Sequence, residues 1–210
     1  MDAFERLVRS LLRRAVRFVV IGLSGANYYA RSARTLFLTQ DRDLLLPPDP
    51  DNALAAWRAC EALELDLFCG AEPLDRPRDH HLAERVIANR ALVRATDGTG
   101  LDVDFTLVMA GFEFETVWSE RRVFRVDRLD IPVARLAHIV ESKRRAGREK
   151  DRLFFASHAE AIRDLIESDL RSEPSRPRAR AKRSTAGRSN TPAQWYAANS
   201  PRLWPMPTVA

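Results

Sequence analysis

The chain's patterning predicts an α/β (α+β) fold, a mixed sheet flanked by helices with a helical C-terminal part, and three observations carry that prediction. Over residues 1–170, segments with apolar residues at helical spacing alternate with short runs rich in Val, Ile, Leu and Phe. Two of those runs, 91–95 and 101–109, flank the turn Asp97-Gly98-Thr99-Gly100 and read as a hairpin. From residue 171 the periodicity stops in a Pro/Ser/Arg-rich stretch, which predicts a disordered tail over 171–210 behind a domain of residues 1–170.

Each element has its own reason. The opening helix, 3–16, rests on Phe4, Leu7, Val8, Leu11, Leu12 and Ala15, which recur between Arg6, Arg9, Arg13 and Arg14. A strand over 17–22 (Arg17-Phe18-Val19-Val20-Ile21) leads into the small-residue turn Gly22-Leu23-Ser24-Gly25 and a short helix over 24–34. A second strand covers 36–46. Pro47-Pro48-Asp49-Pro50 then breaks the chain, and Asp51 caps a helix to residue 63 with Leu54, Trp57 and Cys60 facing inward. A strand follows at 63–68, and Asp79 caps a helix to about residue 90. After the hairpin come a short helix over 113–120 and strands at 123–126 and 131–133. Helices at 134–146 and 150–169, separated by Ala146-Gly147-Arg148, close the domain. There is no internal repeat.

At 45% hydrophobic residues the chain can bury a core, and no apolar run approaches the roughly 20 residues of a membrane helix. The amphipathic opening lacks the continuous apolar centre of a secretory signal. Cys60 and Cys69 have no metal-type spacing, which fits a reducing cytoplasm. The positive charge is uneven: residues 171–210 hold eight Lys/Arg against Glu173, whereas residues 1–170 hold 26 basic and 28 acidic side chains. One reading of the tail is an electrostatic arm for RNA, DNA or another polyanion, and the other is a solubilising extension. Trp195, Tyr196 and Trp204 are too sparse to form a base-stacking platform.

The chemistry-bearing residues are acidic. Asp41 and Asp43 stand two apart on a strand, so both carboxylates project to one face and together suit a hard cation such as Mg²⁺. Asp102 and Asp104 repeat that spacing on the second hairpin strand. If the two strands are neighbours, the acids converge as in a two-metal site. The turn at 22–25 leaves backbone N–H groups at a helix start, where phosphate oxygens bind well. A lone Asp-x-Asp is ordinarily a solvated strand end; the Gly/Ser turn before it and Asp104 after it make it a candidate site. His80 and His81 read as exposed at a helix start, and His138 and His158 as core or surface fillers.

Gly22-Leu23-Ser24-Gly25, then Asp41-Arg42-Asp43, then Val103-Asp104-Phe105 resembles the nucleotidyltransferase fold shared by polymerase-beta-like enzymes. It looks closest to the small stand-alone bacterial nucleotidyltransferase-like proteins, including those of toxin–antitoxin and abortive-infection systems. Leu136-Ala137-His138-Ile139-Val140-Glu141-Ser142-Lys143 and Ala146-Gly147-Arg148-Glu149-Lys150-Asp151 are similar to that group's closing helices, so the resemblance covers about residues 15–165. It implies that Gly22, Ser24 and Gly25 bind the triphosphate and that Lys143 and Lys150 reach the phosphates. Asp41 and Asp43 would hold Mg²⁺, with Asp104 as third acid and Asp102 in reserve. The implied reaction moves a nucleoside monophosphate from an NTP to a hydroxyl of RNA, protein or a small molecule. Two residues depart from the family pattern: Leu23 intervenes in the Gly-Ser step, and Arg42 stands where an apolar residue packs. Both favour an alternative, a non-catalytic module of antitoxin-like or regulatory type, whereas the complete acid set favours the enzyme.

If the tail binds polyanions, truncating the chain after residue 170 flattens the salt dependence of RNA or DNA binding. The slope of log K against log salt falls by about 0.9 for each tail cation that contacts duplex phosphate. A slope unchanged by truncation assigns the tail no nucleic-acid role.

Overall fold

The computed structural model describes residues 2–30, 37, 39 and 41–172. The chain divides into Met1–Glu173 and Pro174–Ala210, and the expected tail lies outside the described residues except for its first two positions, which end the last helix.

Helix α1, Ala3–Arg13, buries Phe4, Leu7, Val8 and Leu11, and a capping box opens it. Asp2 Oδ1 accepts from the Glu5 N–H at 2.7 Å, and Glu5 Oε2 accepts from the Asp2 N–H at 3.0 Å. The helix stops short of residue 16 because Ala15 turns into the left-handed region (φ 54°). Strand β1, Val19–Ile21, runs into helix α2, Gly22–Asn27, and β2 follows as Asp41–Leu45. The expected second half of that helix (31–34) and the expected start of the second strand (36, 38 and 40) lie outside the described residues.

Helix α3, Pro50–Glu61, corrects the expected cap: Asp49, not Asp51, accepts from the first-turn N–H groups. Pro50 sits in the first turn, where its missing N–H costs nothing. That shifts the cap two residues upstream of Asp51. Strands β3, Asp66–Cys69, and β4, Glu72–Pro73, follow; the second, two residues long and ending in proline, had no sequence pattern. Asp79 caps α4, His80–Ala88, as expected. The hairpin forms from β5, Val93–Thr96, and β6, Asp102–Thr106. Helix α5, Phe114–Glu120, then β7, Arg122–Val126, and β8, Leu129–Val133, lead to α6, Leu136–Ala146, and α7, Glu149–Ser172. None of the helices described is long and apolar enough to cross a membrane.

All eight strands join one mixed sheet in the order β4-β3-β5-β6-β2-β1-β8-β7. Alternation along each strand sorts residues onto two faces. One face carries Val20, Leu44, Leu67, Val93, Ala95, Val103 and Phe105, packed with Leu7, Leu11, Trp57 and Ala83 of α1, α3 and α4. The other carries Val19, Ile21 and Leu45 under residues of α2, α5, α6 and α7, such as Val117, Leu136, Ile139 and Leu165. No described residue of β3, β5 or β6 joins this second apolar layer. Over those strands the second face is mainly polar, with Asp66, Thr96, Asp102, Arg94 and Asp104 beside Phe68.

Arg42 shares its face with Leu44, the side covered by α1. Its guanidinium lies 5.0 Å from the centroid of the Phe4 ring, and the residue is half-buried. A half-buried cation stacked on an aromatic ring needs less compensation than a fully buried charge.

We expect Asp49→Ala to lower stability in urea unfolding by about 1 kcal/mol, the typical cost of losing an N-cap. Asp51→Ala should stay within about 0.5 kcal/mol of the parent, as exposed substitutions usually do. The reverse order would return the cap to Asp51.

Candidate functional site

Pairing register assembles the acids. Strand β2 runs antiparallel to β1, with Ile21 opposite Asp43, and parallel to β6, with Asp41 opposite Asp102 and Asp43 opposite Asp104. Strand β5 continues the rows, Thr96 opposite Asp102 and Arg94 opposite Asp104, and β3 adds Asp66 and Phe68. Directly paired residues share a face, so two rungs cross the polar side of the sheet. One runs Asp41, Asp102, Thr96, Asp66; the other runs Ile21, Asp43, Asp104, Arg94, Phe68. The sequence-predicted acids Asp41, Asp43, Asp102 and Asp104 thus occupy adjoining positions on neighbouring strands. Asp41 is exposed, Asp43 and Asp102 are half-buried, and Asp104 is buried.

Like charges on adjacent strands repel, and Arg94 offsets part of that repulsion. Its Nε donates to Asp104 Oδ1 at 2.7 Å and its Nη2 donates to Asp104 Oδ2 at 2.9 Å, a two-pronged fork. The Asp104 hydrogen bonds and charge raise the Arg94 pKa further above its ordinary value, and the fields of Asp102 and Asp41 act in the same direction. Arg94 side-chain exposure is 43% against 12% for Asp104, so the pair is open to water on the arginine side only.

The turn after β1 meets the same rung. Gly22 has φ +66°, and a Cβ built there would lie 2.0 Å from Asp43 Oδ2. Only glycine suits that position, for its backbone conformation and for the carboxylate against it. Ser24 points elsewhere: it is buried, and its Oγ donates to the Ile21 carbonyl at 3.2 Å. Gly25 serves packing, since a Cβ there would press on the Val20 carbonyl oxygen at 3.0 Å and Ile139 Cδ1 at 3.1 Å. Of the three expected phosphate contacts, Gly22 is the residue beside the acids.

Lys143 on α6 donates to Asp151 Oδ1 of α7 at 2.9 Å, and Asp151 is buried. That ion pair ties the two closing helices together. Lys150 falls in the first turn of α7, and its side chain lies outside those described. His80 is exposed beside Glu84, and His138 is half-buried against Phe112, where desolvation lowers its pKa.

Sequence reasoning missed Arg94, although a signal was present. Asp97 Oδ1 accepts from the N–H groups of Thr99, Gly100 and Leu101 at 2.8, 3.0 and 3.0 Å, which holds its carboxyl down at about pKa 2 and closes a tight turn. Counting back from that turn through Thr96 and Asp102 sets Arg94 opposite Asp104.

Carboxylates are the donors a hard divalent cation prefers, and the rungs supply them from two adjacent strands. In the present side-chain arrangement, no group of three or more His, Cys, Asp or Glu among the described residues is gathered to hold a metal ion. Both Asp104 oxygens are bonded to Arg94.

No family model matches this chain, and no curated protein matches it.

Gly70 has nearly the same backbone angle as Gly22 (φ +67°) but nothing within 4 Å of its Cβ position. Alanine at either glycine incurs the left-handed strain of about 1–2 kcal/mol. Gly22→Ala should cost clearly more in chemical denaturation, because the Asp43 carboxylate must also move. Equal losses would mean that Gly22 and Asp43 are not in contact.

Proposed function

We propose that the acidic rungs form the site of a Mg²⁺-dependent nucleotidyltransferase, which moves a nucleoside monophosphate from an NTP to a hydroxyl of RNA, protein or a small molecule. The observation that supports this reading is the register that sets Asp43 beside Asp104 on adjacent strands, with Gly22 against Asp43. Two acids on one strand, a third on its neighbour and a glycine turn at their side make up the arrangement that the sequence resemblance implies.

Asp41 and Asp43, with Asp104, are the residues that would hold Mg²⁺. Carboxylate donors suit the ion, and the exposure of Asp41 and the half-burial of Asp43 leave room for water in the coordination shell. When bound, Mg²⁺ neutralises phosphate charge and favours the deprotonated acceptor hydroxyl. The chain's own part is positioning and charge. Without a side chain, Gly22 lets the Asp43 carboxylate lie against the turn that follows β1. The β2–β6 register fixes the spacing of the acids. Asp104, buried at the floor of the rung, accepts the hydroxyl proton or completes the ion's ligand set. Ser24, turned into its own helix, has no part in this scheme.

A second reading, a non-catalytic binding module of the same fold, draws support from the Arg94–Asp104 fork, which occupies both oxygens of the third acid.

Thermal unfolding with each of the four NTPs, with and without Mg²⁺, separates the readings. For an enzyme, at least one NTP should raise Tm only when Mg²⁺ is present. Asp41→Asn or Asp43→Asn should abolish that rise, and in Asp41→Asn the ligand-free Tm should hold or increase, because one repelling carboxylate has been neutralised. Transfer of label from the matching α-labelled NTP should fall by about 10²-fold or more in the same variants, the usual loss for a major electrostatic contribution. No Mg²⁺-dependent stabilisation by any NTP would leave the binding module.

A further inference from the structure

We propose that His138 is a pH-sensitive latch: its neutral ring holds the turn Met109–Phe112 against α6, and its protonation releases that turn. The inference does not use the acidic rungs. Three observations carry it. The His138 ring packs on the Phe112 ring, with centroids 4.4 Å apart and planes inclined at 36°. Its Nδ1 is buried and has no hydrogen-bond partner among the described residues. Its Nε2 lies 3.8 Å from Glu120 Oε2, too far for a hydrogen bond, and the side chain is only 12% exposed. The turn has a second seat on the same helix. Gly111 (φ +84°) lies against the Arg145 side chain, on which a Cβ would press, and the Arg145 guanidinium is 5.9 Å from the Phe112 ring centroid. His138 and Arg145 stand seven residues apart, two turns along one side of α6.

Protonation acts on the first of these seats. An imidazolium donates from both nitrogens and carries a full charge, and here the Nδ1–H would meet no acceptor among the described residues. Glu120 is the carboxylate that faces the ring, but Arg135 Nε lies 3.6 Å from the same Oε2 and competes for it. On α6 itself Arg145 is bonded to Glu141 at 2.8 Å, and α7 contributes Asp151, bonded to Lys143 at 2.9 Å. Helix α2 and the turn carry no titratable side chain. Burial is the largest influence on His138; with Arg135 it outweighs Glu120 and sets the pKa below its ordinary value. With the turn open the ring reaches water and titrates near that ordinary value, about 6.5. The open form therefore binds the proton more tightly than the closed form. Closure has its full strength above about pH 6.5 and weakens as the pH falls through the lower pKa of the closed form.

The test follows the full chain by NMR as the pH is lowered. The His138 ring should titrate at a lower pH than the exposed His81. The Phe112 N–H, which donates to the Met109 carbonyl at 3.0 Å, reports on the turn. Its protection from hydrogen exchange, corrected for the intrinsic rate, should fall by up to about tenfold per pH unit below about 6.5, the limit for one proton. Amides of the central strand β2 should keep their protection over the same range. His138→Gln, which does not titrate, should abolish the pH dependence at Phe112; His138→Phe serves the same purpose if the glutamine variant does not fold. A His138 ring that titrates with His81 or above it would mean that Glu120 and Phe112 support the imidazolium, and would overturn the latch. Phe112 protection that is flat with pH, or whose pH dependence survives substitution of His138, would overturn it as well.

Discussion

Parallel pairing of Asp41–Leu45 with Asp102–Thr106 is the constraint on which the site depends, because it sets Asp41 against Asp102 and Asp43 against Asp104 and leaves four carboxylates on adjoining positions. Repulsion alone would separate such strands or slip them. Slippage by one residue would turn Leu44, Val103 and Phe105, each almost wholly buried beneath the layer of α1, α3 and α4, out of the core. Burying side chains of that size contributes about 1.5–3 kcal/mol each, more than the roughly 0.2–1 kcal/mol scale of a cross-strand pair. The apolar face therefore wins, and the acids on the opposite face stay together.

Two local features accommodate the crowding. Arg94 arrives from the other side of β6 through the tight turn anchored by Asp97 and forks onto the most buried of the acids. Gly22 leaves room on the β1 side for the Asp43 carboxylate. The polar rungs are open because the second helical layer covers β1 and the end of β2 but contributes no apolar packing over the described residues of β3, β5 and β6. Among the described residues, apolar helices pack one face of the sheet and only part of the other, which leaves charged side chains beside a rigid scaffold. Functional groups are held most accurately in such a place.

Local rules made much of this legible from the sequence. The spacing of Phe4, Leu7, Val8 and Leu11, the Asp79 cap, and the hairpin around Asp97-Gly98-Thr99-Gly100 each depend on residues close in sequence, and each element forms, with α1 ending at Arg13 instead of residue 16. The Asp49 cap was misplaced to Asp51 because both acids precede the apolar stripe, and the position of Pro50 in the first turn decides between them. Period two correctly set Asp41 with Asp43 and Asp102 with Asp104. Which strands lie side by side is a long-range outcome, and the β1–β8 pairing brings together residues more than a hundred positions apart. Arg42 departs from the apolar residue that the family pattern has at that position, and the Phe4 ring that receives it lies far upstream. The inward turn of the Ser24 hydroxyl and the pairing of Lys143 with Asp151 depend on side-chain direction, which composition and spacing do not encode.

The proposed function requires the carboxylates of Asp41, Asp43 and Asp104 to hold one cation. The most direct measurement is a crystal structure of the full chain with Mn²⁺ and an NTP analogue that cannot release pyrophosphate, read by anomalous scattering at the manganese edge. The proposed function predicts an anomalous peak bounded by the carboxylates of Asp41 and Asp43. A bound analogue with no manganese at those carboxylates would contradict it.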